Sequence, residues 1–143
     1  MIWCLTNIAC GSHEQAGSIL PLIPQLTKIL GDSLLVGVVT SSNELLFEQV
    51  CWTLGNIAGD CDIYRQTTLQ FGAMQPLVQF FLGSILNVTK ALQGDVTKSV
   101  VSSSATTAAW ALSNFARGST SAVLFLDSGT ITDMNHSYLL GFQ

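Results

Sequence analysis

One short word occurs three times along this chain and narrows the folds open to it more than any other feature. The copies are Trp3-Cys-Leu-Thr-Asn7-Ile-Ala, Trp52-Thr-Leu-Gly-Asn56-Ile-Ala-Gly-Asp60 and Trp110-Ala-Leu-Ser-Asn114-Phe-Ala-Arg-Gly118. Repetition at intervals of tens of residues is the signature of a stacked architecture in which each unit buries its apolar face on the next. The Trp positions are separated by 49 and 58 residues. Helical solenoid units of the armadillo and HEAT kind run to roughly 40–47 residues, so each interval reads as one repeat with extra residues in its loops. Inside each word the Trp precedes the Asn by four, which sets an indole and a carboxamide one turn apart on one helix face.

Each interval follows the same plan: the Trp word closes a helix, Gly follows, a short amphipathic helix comes next, then an apolar helix opening near Pro, then a polar loop. In the first interval these are Gly11, His13 to Ile19, Pro21 to Leu30 and Gly31 to Ser42. In the second they are Gly59, Asp62 to Phe71, Met74 to Leu82 or somewhat beyond, and a looser stretch from Asn87 to Ser102. Proline suits a first helical turn and Gly the residue past a helix end. The third helices are then Asn43 to Ala58 and Val100 to Ala116, with Met1 to Ala9 as the stump of an earlier one. The hydroxyl-rich run Ser102 to Thr107 is compatible with either helix or loop. In the Asn43 helix, Leu46, Val50, Leu54 and Ile57 recur at the helical period and face a core, leaving Gln49, Trp52 and Asn56 on another face.

With 143 residues, 48% of them hydrophobic and 10% charged, the chain can bury a sizeable core. Nine acidic against five basic residues give a net charge of −4, the wrong sign for a nucleic-acid surface and the right one for a cationic partner. The apolar stretches Ile19 to Leu30 and Phe71 to Val88 are broken by Pro or Gln before reaching the roughly 20 apolar residues that cross a bilayer. Cys4, Cys10, Cys51 and Cys61 form no C-x-x-C pair and read as reduced thiols in an intracellular setting. Met1-Ile2 runs straight into the first Trp word without a secretory leader.

At these residues the sequence resembles importin-alpha, the armadillo-repeat adaptor of nuclear protein import. The three Trp words, and Gly72-Ala73 ahead of an apolar helix, match successive repeats in order over roughly residues 1 to 126. The resemblance implies an all-α, armadillo-type right-handed superhelical solenoid of about three partial repeats, with residues 127–143 as a divergent, poorly ordered tail. It also implies a groove for lysine-rich nuclear localisation signals: Trp3, Trp52 and Trp110 as walls, Asn7, Asn56 and Asn114 bonding the peptide backbone, and Asp60 taking the key ammonium. Gly11 would meet the same lysine through its backbone, and Gln49 matches a polar groove position. Residence in cytoplasm and nucleus and partnership with importin-beta follow for the family, although the basic segment that binds importin-beta has no counterpart here. Ala16 stands where the family carries a small hydroxyl residue, and Thr107 where it usually carries Asn.

The residues also admit plainer roles. A lone Trp is commonly a core aromatic, although three in one register argue for a groove. Asp60 suits a helix cap as well as a ligand, Glu44 and Glu48 suit a solvated face, and Arg117 either complements the dipole at a helix end or bounds the groove. An armadillo scaffold that docks a partner without import activity is the alternative function. His13 and His136 lack metal-ligand spacing and no phosphate loop is present, so neither enzyme, metal nor cofactor is expected.

Overall fold

The structure, a computed structural model, describes residues 2–35, 41–94 and 103–117. These form seven α-helices: α1 (Ile2–Ala9), α2 (His13–Ser18), α3 (Ile23–Leu35), α4 (Ser41–Asp60), α5 (Asp62–Gln70), α6 (Met74–Gly94) and α7 (Ser103–Phe115), with a 3-10 turn at Leu20–Leu22. No strand occurs among the described residues, and no described helix is long and apolar enough to cross a membrane. The expected divergent tail, residues 127–143, lies outside the described residues.

Local chemistry sets several of the helix starts. Ser12 caps α2 in a reciprocal box: its side chain accepts from the Gln15 amide, and its own amide donates to Gln15 Oε1 at 2.8 Å. Pro21 falls in the first turn of the 3-10 segment, where a missing N–H is harmless. Gly72 carries φ +73°, a left-handed turn that lets the chain reverse from α5 into α6.

Helix α4 is the centre of the stack, packing on α1 and α7 and also on α5, α3 and α2. Its inner face carries Phe47, Val50, Leu54 and Ile57, all fully buried, and Phe47 meets Phe80 of α6 edge to face at 5.7 Å between centroids. Leu46, expected in this core, is exposed instead; the inward stripe runs through its neighbour Phe47, so the larger aromatic takes the buried position. Cys51 shares this core, where burial pushes its thiol up to about 12. All four cysteines are free.

Two expected loops are partly helix. Helix α3 continues through Gly31 to Leu35, and the Lys28–Asp32 pair at 2.5 Å braces it across that glycine. Helix α6 runs to Gly94, through residues expected to loosen from Asn87. The hydroxyl run is helical from Ser103 onward, because its hydroxyls have acceptors on α4. Ser104 Oγ donates to Glu44 at 2.5 Å, and Ser103 and Thr107 donate to Glu48 at 3.2 Å. Glu44 and Glu48 therefore belong to the α4–α7 seam rather than to a solvated face.

Candidate functional site

The three Trp words lie on adjacent helices α1, α4 and α7, with α4 in the middle. Their indoles point outward: Trp3 is 65% exposed, Trp52 44% and Trp110 39%. That pattern reflects how the helices are spaced. A Cβ added at Gly55 would sit 2.7 Å from Trp110 Cζ3 and 2.9 Å from Ala111 Cβ. Only the bare backbone at Gly55 lets α7 approach so closely, and the Trp110 ring lies over it. Gly59 repeats the device one turn on, with Asn114 Nδ2 at 3.1 Å from the position of an added Cβ.

Two depressions run along this face and share Trp110. The first, of about 450 Å³, is lined by Trp52, Thr106, Thr107 and Trp110, so it is a slot between two indoles with a threonine floor. The second, of about 290 Å³, is lined chiefly by Gly11, Asn56, Asp60, Trp110, Asn114 and Arg117. Of the nine residues expected to hold a peptide, Trp52 and Trp110 face the first hollow, and Gly11, Asn56, Asp60, Trp110 and Asn114 face the second. Trp3 and Asn7 are exposed on α1 but line neither. Gln49 sits in the α1–α4 seam, where its Oε1 accepts from Thr6 Oγ1 at 2.9 Å.

The two carboxamides of the second hollow are incompletely bonded. Asn114 is only 3% exposed and donates through Nδ2 to the Gly55 carbonyl at 3.0 Å, yet its Oδ1 is buried without a partner. Asn56 has the converse lack, a buried Nδ2 with nothing to donate to. A buried amide atom left unpaired costs about 1–3 kcal/mol. One orphaned donor and one orphaned acceptor thus lie just beneath the same hollow, on side chains that line it, and together they are the complement of a peptide unit's C=O and N–H.

Asp60 is the last residue of α4 and does not cap α5; Cys61 does, with its sulfur accepting from the Tyr64 amide at 3.5 Å. The Asp60 carboxylate instead contacts His13 Nδ1. The His13 ring lies flat on Tyr64, 4.6 Å between centroids and 1° from parallel, while Tyr64 Oη donates to the His13 carbonyl at 3.3 Å. Desolvation, then the neighbouring Cys61, Asp60 and Glu14, push the Tyr64 phenol above its usual value.

No protein-family model matches the chain. Curated relatives do. Importin subunit alpha-9 of Arabidopsis thaliana is 34% identical over 116 residues, which is 81% of this chain and 18% of that protein. Importin subunit alpha-6 of the same plant is 34% identical over 121 residues, and importin subunit alpha-1b of Oryza sativa subsp. japonica 31% over 120, each with the same two shares. The chain is importin-alpha-like. It spans less than a fifth of the length of these relatives, and its helical stack is of the armadillo type.

In this importin-alpha-like chain the sequence reading missed several residues that build the site. Arg65, 6% exposed, donates through Nε to the carbonyls of Ala58 (3.1 Å) and Asn114 (3.0 Å), and its Nη1 pairs with Asp62. One guanidinium thereby joins the ends of α4 and α7 and holds the Asn114 backbone. Local spacing offers His13 no ligand partner, but the fold brings to it Asp60, 47 residues away in sequence. Short-range spacing carries no signal for either contact; the only hint was an Arg on a short helix with few other charges.

Proposed function

We propose that the face formed by α4 and α7 binds extended lysine-rich peptides of the nuclear-localisation type, and that the chain is the cargo-holding part of an import adaptor. The observation that carries this reading is the pair of orphaned amide atoms, Asn56 Nδ2 and Asn114 Oδ1, beside an open slot between two indoles. An extended backbone satisfies the amides once the two carboxamides turn out to meet it, and a lysine or arginine stem lies between Trp52 and Trp110. Each cation-π contact of that kind contributes about 0.5–2 kcal/mol. Asp60 supplies a carboxylate for the ammonium at the far hollow. Several such contacts approach the roughly −8 kcal/mol of micromolar binding once ordering costs are met. Ala16 is fully buried and offers no hydroxyl to that ammonium.

On this reading the partners are basic localisation peptides of cargo proteins, the chain works in cytoplasm and nucleus, and importin-beta joins through a segment supplied elsewhere. The test is a fluorescence-anisotropy titration of a labelled lysine-rich peptide at two salt concentrations, repeated with Trp52→Ala and Asp60→Ala. Each variant is expected to weaken binding by about tenfold, since 1.4 kcal/mol is a factor of ten, and added salt should weaken the wild type. Unchanged affinity in both variants removes the adaptor reading and leaves a scaffold without import activity.

A further inference from the structure

We infer that His13, Asp60 and Cys61 form a binding site for a thiophilic divalent cation of the zinc class, and that filling it withdraws Asp60 from the lysine ammonium. The second half rests on the peptide-binding reading above; the first half stands on geometry alone. One donor atom from each of the three residues lies within 4.8 Å of the others. Tetrahedral zinc with nitrogen and oxygen ligands near 2.0 Å and sulfur near 2.3 Å sets its donors roughly 3.3–3.6 Å apart. Rotation of the Asp60 and Cys61 side chains toward the imidazole closes that difference. Nitrogen, carboxylate oxygen and thiolate together are a donor set that suits zinc and disfavours magnesium or calcium.

The three ligands are carried on helix ends rather than on a free loop. His13 opens α2, Asp60 closes α4 and Cys61 caps α5. Tyr64 fixes the imidazole from the other side by stacking on it and by bonding its carbonyl. Tyr64 is itself close-packed: a Cβ at Gly17 would come within 2.3 Å of its hydroxyl. Metal entry separates the His13 Nδ1 and Asp60 contact and places the ion between them. The imidazole then carries its proton on Nε2, and the Cys61 thiol releases its proton to solvent on becoming a thiolate ligand. Three protein ligands leave a fourth position open to water. A carboxylate held by the cation has its charge offset and no longer attracts an ammonium.

The experiment uses the full chain with Co2+ as probe, followed by its thiolate-to-metal charge-transfer absorption. The expected result is a 1:1 band, lost in Cys61→Ser and weakened by about tenfold or more in His13→Gln, a loss that even removing a hydrogen-bond partner of a ligand produces. Serine preserves the cap of α5, so Cys61→Ser keeps the helix start. Cys4→Ser and Cys10→Ser, which alter the exposed thiols, should keep the band. Absence of the band, or its survival in Cys61→Ser, overturns the site. A lysine-rich peptide lacking His, Cys, Asp and Glu is then titrated with chelator and with excess Zn2+. Several-fold weaker binding in zinc for the wild type, and none of that weakening in Cys61→Ser, supports the coupling. Binding in chelator that zinc leaves unchanged overturns the coupling. A cobalt band without peptide binding in chelator supports the metal site and counts against the groove reading, so the two failures are distinguishable.

Discussion

Adding one methyl group at Gly55 tests the packing on which the whole face depends. An alanine Cβ there meets Trp110 Cζ3 at 2.7 Å, Ala111 Cβ at 2.9 Å and Ala111 Cα at 3.0 Å. Two of those atoms belong to the body of α7, so the helices must move apart rather than a side chain swing aside. Overpacking of this kind costs about 1–3 kcal/mol. Separation also stretches the 3.0 Å bond from Asn114 Nδ2 to the Gly55 carbonyl, with a net loss of about 1 kcal/mol. Against this, Gly→Ala inside a helix gains about 1 kcal/mol. The balance is a destabilisation of about 2 kcal/mol. Gly83→Ala on α6 is the matched control, because an added Cβ there has nothing within 4 Å and only the helical gain of about 1 kcal/mol applies. Urea unfolding followed by far-UV circular dichroism reads both, with the slope held common. The variants should move the midpoint in opposite directions, and Gly55→Ala should also weaken the lysine-rich peptide because the indole slot widens. A Gly55→Ala protein as stable as Gly83→Ala would refute the close approach of α4 and α7.

Replacing Arg65 by Met preserves much of its stem but strips its donor from the Ala58 and Asn114 carbonyls; the Asn114 carbonyl keeps the Arg117 amide at 3.4 Å, so a loss of about 1–3 kcal/mol in urea unfolding is expected, chiefly from the Ala58 acceptor left unpaired. An unchanged midpoint would mean that water or a neighbour replaces the guanidinium. Alkaline titration probes Cys51, whose thiol is pushed up to about 12 by burial. Its unfolded value is about 8.5, so the unfolded chain loses this proton first and its contribution, full below pH ~8.5, is lost as pH rises towards 12. The slope in that window is about 1.4 kcal/mol per pH unit from this group. Cys51→Ala should flatten the fall measured between pH 8.5 and 10; an identical slope in the variant would place the titration elsewhere.

What the sequence made legible is what repeats. The indole and carboxamide of each word recur at a fixed offset, and periodicity is a local property, so the outward face of α4 and α7 and the order of helices could be read before any coordinates. Pro21 was legible for the same reason, since its backbone preference acts within one turn. Helix ends were less so. Gly31 suggested a stop, but a helical glycine with a braced flank costs only about 1 kcal/mol, and the Lys28–Asp32 pair together with packing outweighs it. The hydroxyl run at Ser103 was undecidable because its partners, Glu44 and Glu48, lie 55 to 60 residues away.

The same distinction explains the site. A chain can advertise a groove by repeating its wall residues, whereas what tunes the groove is held by single contacts between units. Arg65 reaches from α5 to the ends of α4 and α7, and His13 reaches from α2 to the end of α4. Neither belongs to the repeated word, and each meets its partners only after the units stack. Asn114 owes its geometry to both kinds of residue: Arg65, outside the word, holds its backbone, and Gly55 and Gly59, inside the second word, admit its side chain against α4. If the face binds basic peptides, loss of Arg65 should therefore weaken peptide affinity although the guanidinium donates to buried backbone carbonyls rather than into the hollow, and restoring the charge as Lys should recover little. A lysine cannot place one donor between two carbonyls and a second on Asp62 with the fixed fork that a guanidinium provides.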